Sequence, residues 1–199
     1  MKFLSPAFWL LPASMSRQII LVTGAARSGK SEWAEELAQR SHKRVTYVAT
    51  AQLDAADPEW QQRIQRHQQR RPAAWATEWV PEKLAAAIQF MTEEDCFLVD
   101  SLGTWLANLL ALDEQTWQAQ EAGLLQQLEQ TAGTVILVAE ETGWGVVPAY
   151  AAGRLFRDRL GNLIRQVGAI ADTVYLVTGG YAVNVSAIGI PLPQPTDRP

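Results

Sequence analysis

The chain has 199 residues, 48% of them hydrophobic and 19% charged, with a net charge of −4. This length and balance supply one well-buried globular domain and no compositional case for wholesale disorder, while the net negative charge argues against nucleic acid as the main partner. A single cysteine, Cys96, excludes an internal disulfide framework and fits a reducing, cytoplasmic compartment.

In chain order, residues 1–16 come first. Met1 to Ser14 carries one charge, Lys2, and a short apolar stretch broken by prolines, which reads as a misassigned start or a disordered extension rather than a working secretion signal. No stretch reaches membrane-spanning length, so no membrane insertion is expected. A single domain is expected over residues 17–190, followed by a proline-rich tail at 191–199.

The domain opens with the apolar run Gln18 to Thr23, and Gly24-Ala25-Ala26-Arg27-Ser28-Gly29-Lys30-Ser31 follows it in the pattern G-x-x-x-x-G-K-[ST]. In a strand-loop-helix unit the glycines let backbone N–H groups turn around phosphate oxygens. Lys30 reaches the β- and γ-phosphates, and the Ser31 hydroxyl is placed to ligate Mg²⁺. The loop alone announces a bound nucleoside triphosphate and fits kinases, motors and switches equally.

Further strands are expected at Arg44 to Ala49, Cys96 to Asp100, Thr134 to Ala139 and Thr173 to Thr178, with a short one at Trp75 to Val80. Gly179-Gly180 predicts a tight hairpin into an antiparallel edge strand from Tyr181 to Ile188. Helices are expected at Gly29 to Arg40, Pro58 to Arg71, Pro81 to Met91, Thr104 to Leu112, Thr116 to Thr131 and Ala151 to Ala171. This alternation predicts an α/β fold with a doubly wound, mostly parallel sheet between helical layers.

Several side chains then stand out chemically. Asp100 ends an apolar strand at the sheet edge where parallel α/β proteins bind ligands, and suits a Mg²⁺ site; capping the next helix is its plainer role. On a helix begun by Asp57-Pro58, residues Arg63, His67, Arg70 and Arg71 share one side, and a neutral imidazole there could attack phosphorus. The same pattern also describes a solvated polar face. Glu140-Glu141-Thr142-Gly143-Trp144-Gly145 follows the fourth long strand with no role defined by pattern. Arg154, Arg157 and Arg159 suit phosphate contact or surface ion pairs equally. His42 reads as ordinary surface, and Trp33, Trp105 and Trp117 as packing residues.

Taken together, LVTGAARSGKS (Leu21 to Ser31), YVAT-x-Q (Tyr47 to Gln52), RI-x-x-H-x-x-x-RP (Arg63 to Pro72), VDSLGTWLANLL (Val99 to Leu110), E-x-G-x-G-V-V-P (Glu141 to Pro148) and R-x-F-RD (Arg154 to Asp158) resemble the bifunctional adenosylcobinamide kinase / adenosylcobinamide-phosphate guanylyltransferase family. The resemblance spans Gln18 to Ile188. It implies a P-loop NTPase fold of RecA-like, three-layer α/β/α type and two reactions: phosphorylation of adenosylcobinamide by ATP or GTP, then GMP transfer from GTP through a guanylylated histidine.

By this carry-over His67, Lys30 and Asp100 are catalytic, and Ser31 and Asp100 hold Mg²⁺. Gly24, Ala25, Ala26, Arg27, Ser28, Gly29, Lys30 and Ser31 bind nucleotide phosphates, with Thr50, Ala51, Gln52, Gln68, Gln69, Arg70 and Arg71 near the nucleotide. Glu78 is a candidate acceptor for the guanine N1–H and amine. The implied partners are the corrinoid substrate and GTP or ATP, in a homotrimer. The chain departs from the family's usual pattern at Ala25, at Glu140-Glu141 in place of Asn-Glu, and at Ala149-Tyr150 in place of Glu-Asn.

Overall fold

A computed structural model describes residues 17–52 and 71–193. Among these residues seven strands form one sheet in the order β3-β2-β4-β5-β1-β6-β7. They are β1 (Gln18–Gly24), β2 (Arg44–Ala49), β3 (Ala76–Trp79), β4 (Asp95–Asp100), β5 (Thr134–Glu140), β6 (Thr173–Thr178) and β7 (Tyr181–Asn184). The first six run parallel, and β7 turns back antiparallel on β6.

The strands are apolar on successive residues because both faces are covered. Ile19 and Leu21 of β1 pack into one cluster with Leu102, Trp105, Leu160 and Leu163, whereas Ile20 and Val22 face the opposite cluster with Ala34, Leu37 and Ala38. Alternate side chains of one strand thus enter separate cores, as the period of two requires. The first cluster lies under α2 (Leu84–Ile88), α3 (Leu102–Leu109), α4 (Glu114–Gln130) and α5 (Ala151–Ile170), and the second under α1 (Lys30–Arg40). Trp105 and Trp117 are 1% and 2% exposed with ring centroids 5.6 Å apart, and Trp33 meets Tyr175 edge-on, so these tryptophans pack the fold as expected.

Several element boundaries differ from the sequence expectation, four of them for a clear local reason. The last strand stops at Asn184, whose Oδ1 accepts from the Ala187 amide at 3.0 Å and the Ser186 hydroxyl at 2.7 Å, starting α6 (Val185–Ile188) where strand was expected. The helix expected from Pro81 to Met91 shrinks to Leu84–Ile88, because the Pro81 and Glu82 carbonyls are taken by Asn108 Nδ2 and Trp105 Nε1. The next two helices begin early: Ser101 caps α3 through a reciprocal box with Thr104, and Asp113 caps α4 by accepting from the Thr116 amide at 2.8 Å. The helix expected from Pro58 lies outside the described residues, as do residues 1–16 and most of the tail.

Candidate nucleotide site

The carboxyl ends of three adjacent strands bring the chemistry together. β5 lies between β1 and β4, with Gly24 opposite Glu140 and Asp100 opposite Val138 in the register. With neighbouring strands about 4.8 Å apart, the phosphate-loop strand and the Asp100 strand stand roughly 10 Å from each other, a gap a triphosphate and its metal can bridge.

Backbone geometry shapes the loop. A Cβ on Gly24 would lie 2.5 Å from both Ser28 Oγ and the Val177 carbonyl oxygen, so only glycine fits there. Arg27 and Gly29 take positive φ angles of 59° and 93°, and the Ser28 amide donates to Ala25 O at 3.2 Å, closing the turn just before α1. Ala25, Ala26 and Arg27 are exposed, whereas Lys30 is 7% exposed with its Nζ donating to Ala25 O at 3.3 Å. The ammonium is therefore folded back across the loop mouth, and Ser31 sits half-buried in the first turn of α1, where free N–H groups and the helix dipole favour an anion.

Asp100 is held from the β2 side. Tyr47 Oη donates to Asp100 Oδ2 at 2.7 Å, and burial, reinforced by the Asp100 charge, pushes the Tyr47 phenol far above its usual range, so it remains a donor. The Arg71 guanidinium lies over the Tyr47 ring, 3.2 Å from its centroid, and its Nη1 reaches Thr77 Oγ1 at 3.5 Å. Thr50 accepts from the Ser101 amide at 2.9 Å and donates to the Ser101 carbonyl at 2.7 Å, tying the ends of β2 and β4 together beneath the site.

Glu140 completes the floor. Its Oε1 accepts from Ser101 Oγ at 2.7 Å. Burial raises the carboxyl's pKa, the Ser101 hydrogen bond and the Lys30 charge oppose that rise, and Asp100 adds to it. Sequence reasoning noted Glu140 without a role and named Tyr47 only inside a motif. The interstrand register that places both against Asp100 and Ser101 is what no local pattern carries.

Other expected site residues fall elsewhere. Glu78 is exposed on β3, four strands and about 19 Å across the sheet from β1, so it shares an edge with Arg71 rather than with Lys30. Ala51 and Gln52 follow β2 at the same carboxyl edge. His67, Gln68, Gln69 and Arg70 lie outside the described residues. Of the three C-terminal arginines, Arg154 Nη1 braces the carbonyls of Pro148 and Ala149, whereas Arg159 is buried on the helical face, bound to Leu110 O, Leu112 O and Glu114. His42 is an exposed residue at a positive φ of 56°, a surface turn as expected.

One carboxylate and one hydroxyl flanking a phosphate cradle form a donor set suited to Mg²⁺, which keeps most of its shell for water and substrate phosphates and needs no all-protein cage. The described residues hold no cluster of three or more His, Cys, Asp or Glu that could hold a metal ion. They also contain no helix long and apolar enough to cross a membrane.

The family model described as "Cobinamide kinase / cobinamide phosphate guanyltransferase" matches residues 20–185. A Pseudomonas aeruginosa protein named "Bifunctional adenosylcobalamin biosynthesis protein CobP" is 42% identical over 162 residues, covering 80% of this chain and 92% of its own. The Salmonella typhimurium "Bifunctional adenosylcobalamin biosynthesis protein CobU" is 36% identical over 182 residues, covering 84% and 99%. A solved ATPase from the type III secretion system of pathogenic bacteria superposes with a TM-score of 0.52 at 10% identity, over 87% of this chain and 58% of its own, a likeness of fold.

Proposed function

The chain belongs to the cobinamide kinase / cobinamide phosphate guanyltransferase family, and on that premise we propose that it phosphorylates the aminopropanol hydroxyl of adenosylcobinamide and then transfers GMP from GTP to the new phosphate. The products are adenosylcobinamide-GDP and pyrophosphate. The observation that best supports this reading is the convergence of the phosphate loop, the folded-back Lys30 and Asp100 at adjoining strand ends in a chain matched over residues 20–185.

In the first reaction the acceptor hydroxyl attacks the γ-phosphorus of ATP or GTP, the bond to the β-phosphate oxygen breaks, and the hydroxyl proton leaves to solvent or base. Loop amides and the α1 N-terminus hold the triphosphate, and Lys30 draws charge toward the leaving oxygen. Ser31 and Asp100 would hold Mg²⁺, which when bound supplies charge neutralisation across the phosphates.

In the second reaction the His67 imidazole attacks the α-phosphorus of GTP, expelling pyrophosphate and forming a phosphoramidate. The corrinoid phosphate then attacks the same phosphorus and frees the imidazole. Arg70 and Arg71 suit the phosphates of this step, and Glu78, exposed on the same edge as Arg71, suits the guanine. A homotrimer and a cytoplasmic location belong to the same reading.

Separating the half-reactions tests it. Lys30→Ala should cut phosphorylation of adenosylcobinamide by roughly 10³-fold or more, and His67→Ala should cut formation of adenosylcobinamide-GDP from supplied adenosylcobinamide phosphate by a similar factor. Product chromatography reads both. Wild-type GDP-corrinoid formation in His67→Ala would overturn the histidine route, and a folded wild-type enzyme inert toward both corrinoids would overturn the substrate.

A further inference from the structure

The end of β5 carries a carboxyl group that neither reaction above employs. Glu140 is the last residue of β5, opposite Gly24, on the strand that separates the phosphate loop from Asp100. One oxygen is occupied by the Ser101 hydroxyl, and the other, Oε2, is buried without a hydrogen-bond partner among the described residues. Such an atom is costly, so the position serves something other than packing alone.

The space for it is made by Gly103. A Cβ on Gly103 would overlap Glu140 Oε2 and lie 2.9 Å from its Cδ, so any other residue would evict the carboxyl. Gly103 is in the first turn of α3, and glycine weakens a helix, which makes an unforced glycine there an unfavourable choice. Ser101, 2% exposed, connects the two: it caps α3, follows Asp100 directly and donates to Glu140.

We propose that Glu140 and Gly103 form a positioning pair for phosphoryl transfer, in which the Glu140 carboxyl, seated in the space left by Gly103, fixes the Asp100–Ser101 turn against the strand bordering the phosphate loop. This rests on reading Lys30 and Asp100 as the phosphoryl-transfer groups. Burial and the negative charge of Asp100 on β4 push the Glu140 carboxyl toward the un-ionised acid, while the Ser101 hydrogen bond and Lys30 on α1 oppose that rise. A bound triphosphate adds further negative charge beside the carboxyl. The neutral acid presents one acceptor and one donor, the pattern of a side-chain amide, so glutamine is its close substitute.

The test uses the full chain and measures adenosylcobinamide phosphorylation in Glu140→Gln, Glu140→Ala and Gly103→Ala. Glu140→Ala and Gly103→Ala should lose about 10- to 100-fold in kcat, the scale of lost supporting contacts, and should bind ATP with Mg²⁺ more weakly. Glu140→Gln, which keeps the shape and an acceptor for the Ser101 hydroxyl, should restore most of the rate. Adding Gly103→Ala to Glu140→Ala should cost little more, because the seat is already empty.

Equal loss in Glu140→Gln and Glu140→Ala would overturn the proposal in favour of an ionised carboxylate, and a wild-type rate in Glu140→Ala would overturn it outright. Should Gly103→Ala fail to fold, the Gln/Ala contrast alone decides. Mg²⁺-dependent ATP binding by calorimetry needs no corrinoid and should show the same ordering, wild type and Gln above Ala. That ordering in an enzyme inert to corrinoids would fault the substrate and not the pair; its absence would fault the pair.

Discussion

Asp100 shows how far a single residue can be read from sequence. Its place at the end of an apolar run, downstream of a phosphate loop, suits it to the metal-carboxylate role proposed for it; nothing local says which group aims it. The structure supplies Tyr47, a buried phenol held neutral by its surroundings, donating to Oδ2 at 2.7 Å under a stacked Arg71. Tyr47→Phe keeps the ring and the stack but removes the donor. It should lower phosphorylation turnover about 10-fold and raise the Mg²⁺ concentration needed for half-maximal rate, while costing about 1 kcal/mol of stability. A Mg²⁺ titration of the variant's rate checks this, and an unchanged Mg²⁺ requirement would show that Tyr47 does not aim Asp100. The positions of Lys30, Ser31 and Asp100 at one edge of the sheet were legible because they follow from spacing. Tyr47 and Glu140 were not, because their roles depend on which strands become neighbours.

At the level of elements, the interiors of the strands were legible from unbroken apolar runs, and the boundaries were decided by side chains competing for backbone groups. Asn184 ends β7 by capping, and Asn108 and Trp105 take the Pro81 and Glu82 carbonyls that would have extended α2. Asp95 at the start of β4 is a further such case. Burial pushes its pKa up, but the Thr92 amide and hydroxyl and the Arg44 guanidinium outweigh that and hold the carboxyl below its usual range. A carboxyl depressed in the folded state stabilises fully above its unfolded pKa of about 3.9 and loses that contribution as pH falls through the folded value. Asp95→Ala should therefore cost about 2 kcal/mol at pH 7, and the gap from wild type should narrow below about pH 4 in urea unfolding. A gap independent of pH would contradict the ionic account.

For the molecule as a whole, the α/β class and the phosphate loop were readable, whereas the strand order was not. Sequence alternation predicts parallel strands and is silent on permutation. Only the observed order inserts β5 between β1 and β4 and sends β3, with Glu78, to the far edge beside Arg71. Lys30, Glu140 and Asp100 thus stand at adjoining strand ends, Arg71 is linked to Asp100 through the Tyr47 ring it covers, and Glu78 lies on the outermost strand. On the proposed reading one reaction moves a γ-phosphoryl group and another moves a nucleotidyl group. Incubation of the full chain with [α-³²P]GTP tests this central claim most directly: the account predicts a protein-bound label that is acid-labile, base-stable, absent with [γ-³²P]GTP and lost in His67→Ala. A folded, nucleotide-binding protein that takes up no label, or that keeps it in His67→Ala, would contradict it.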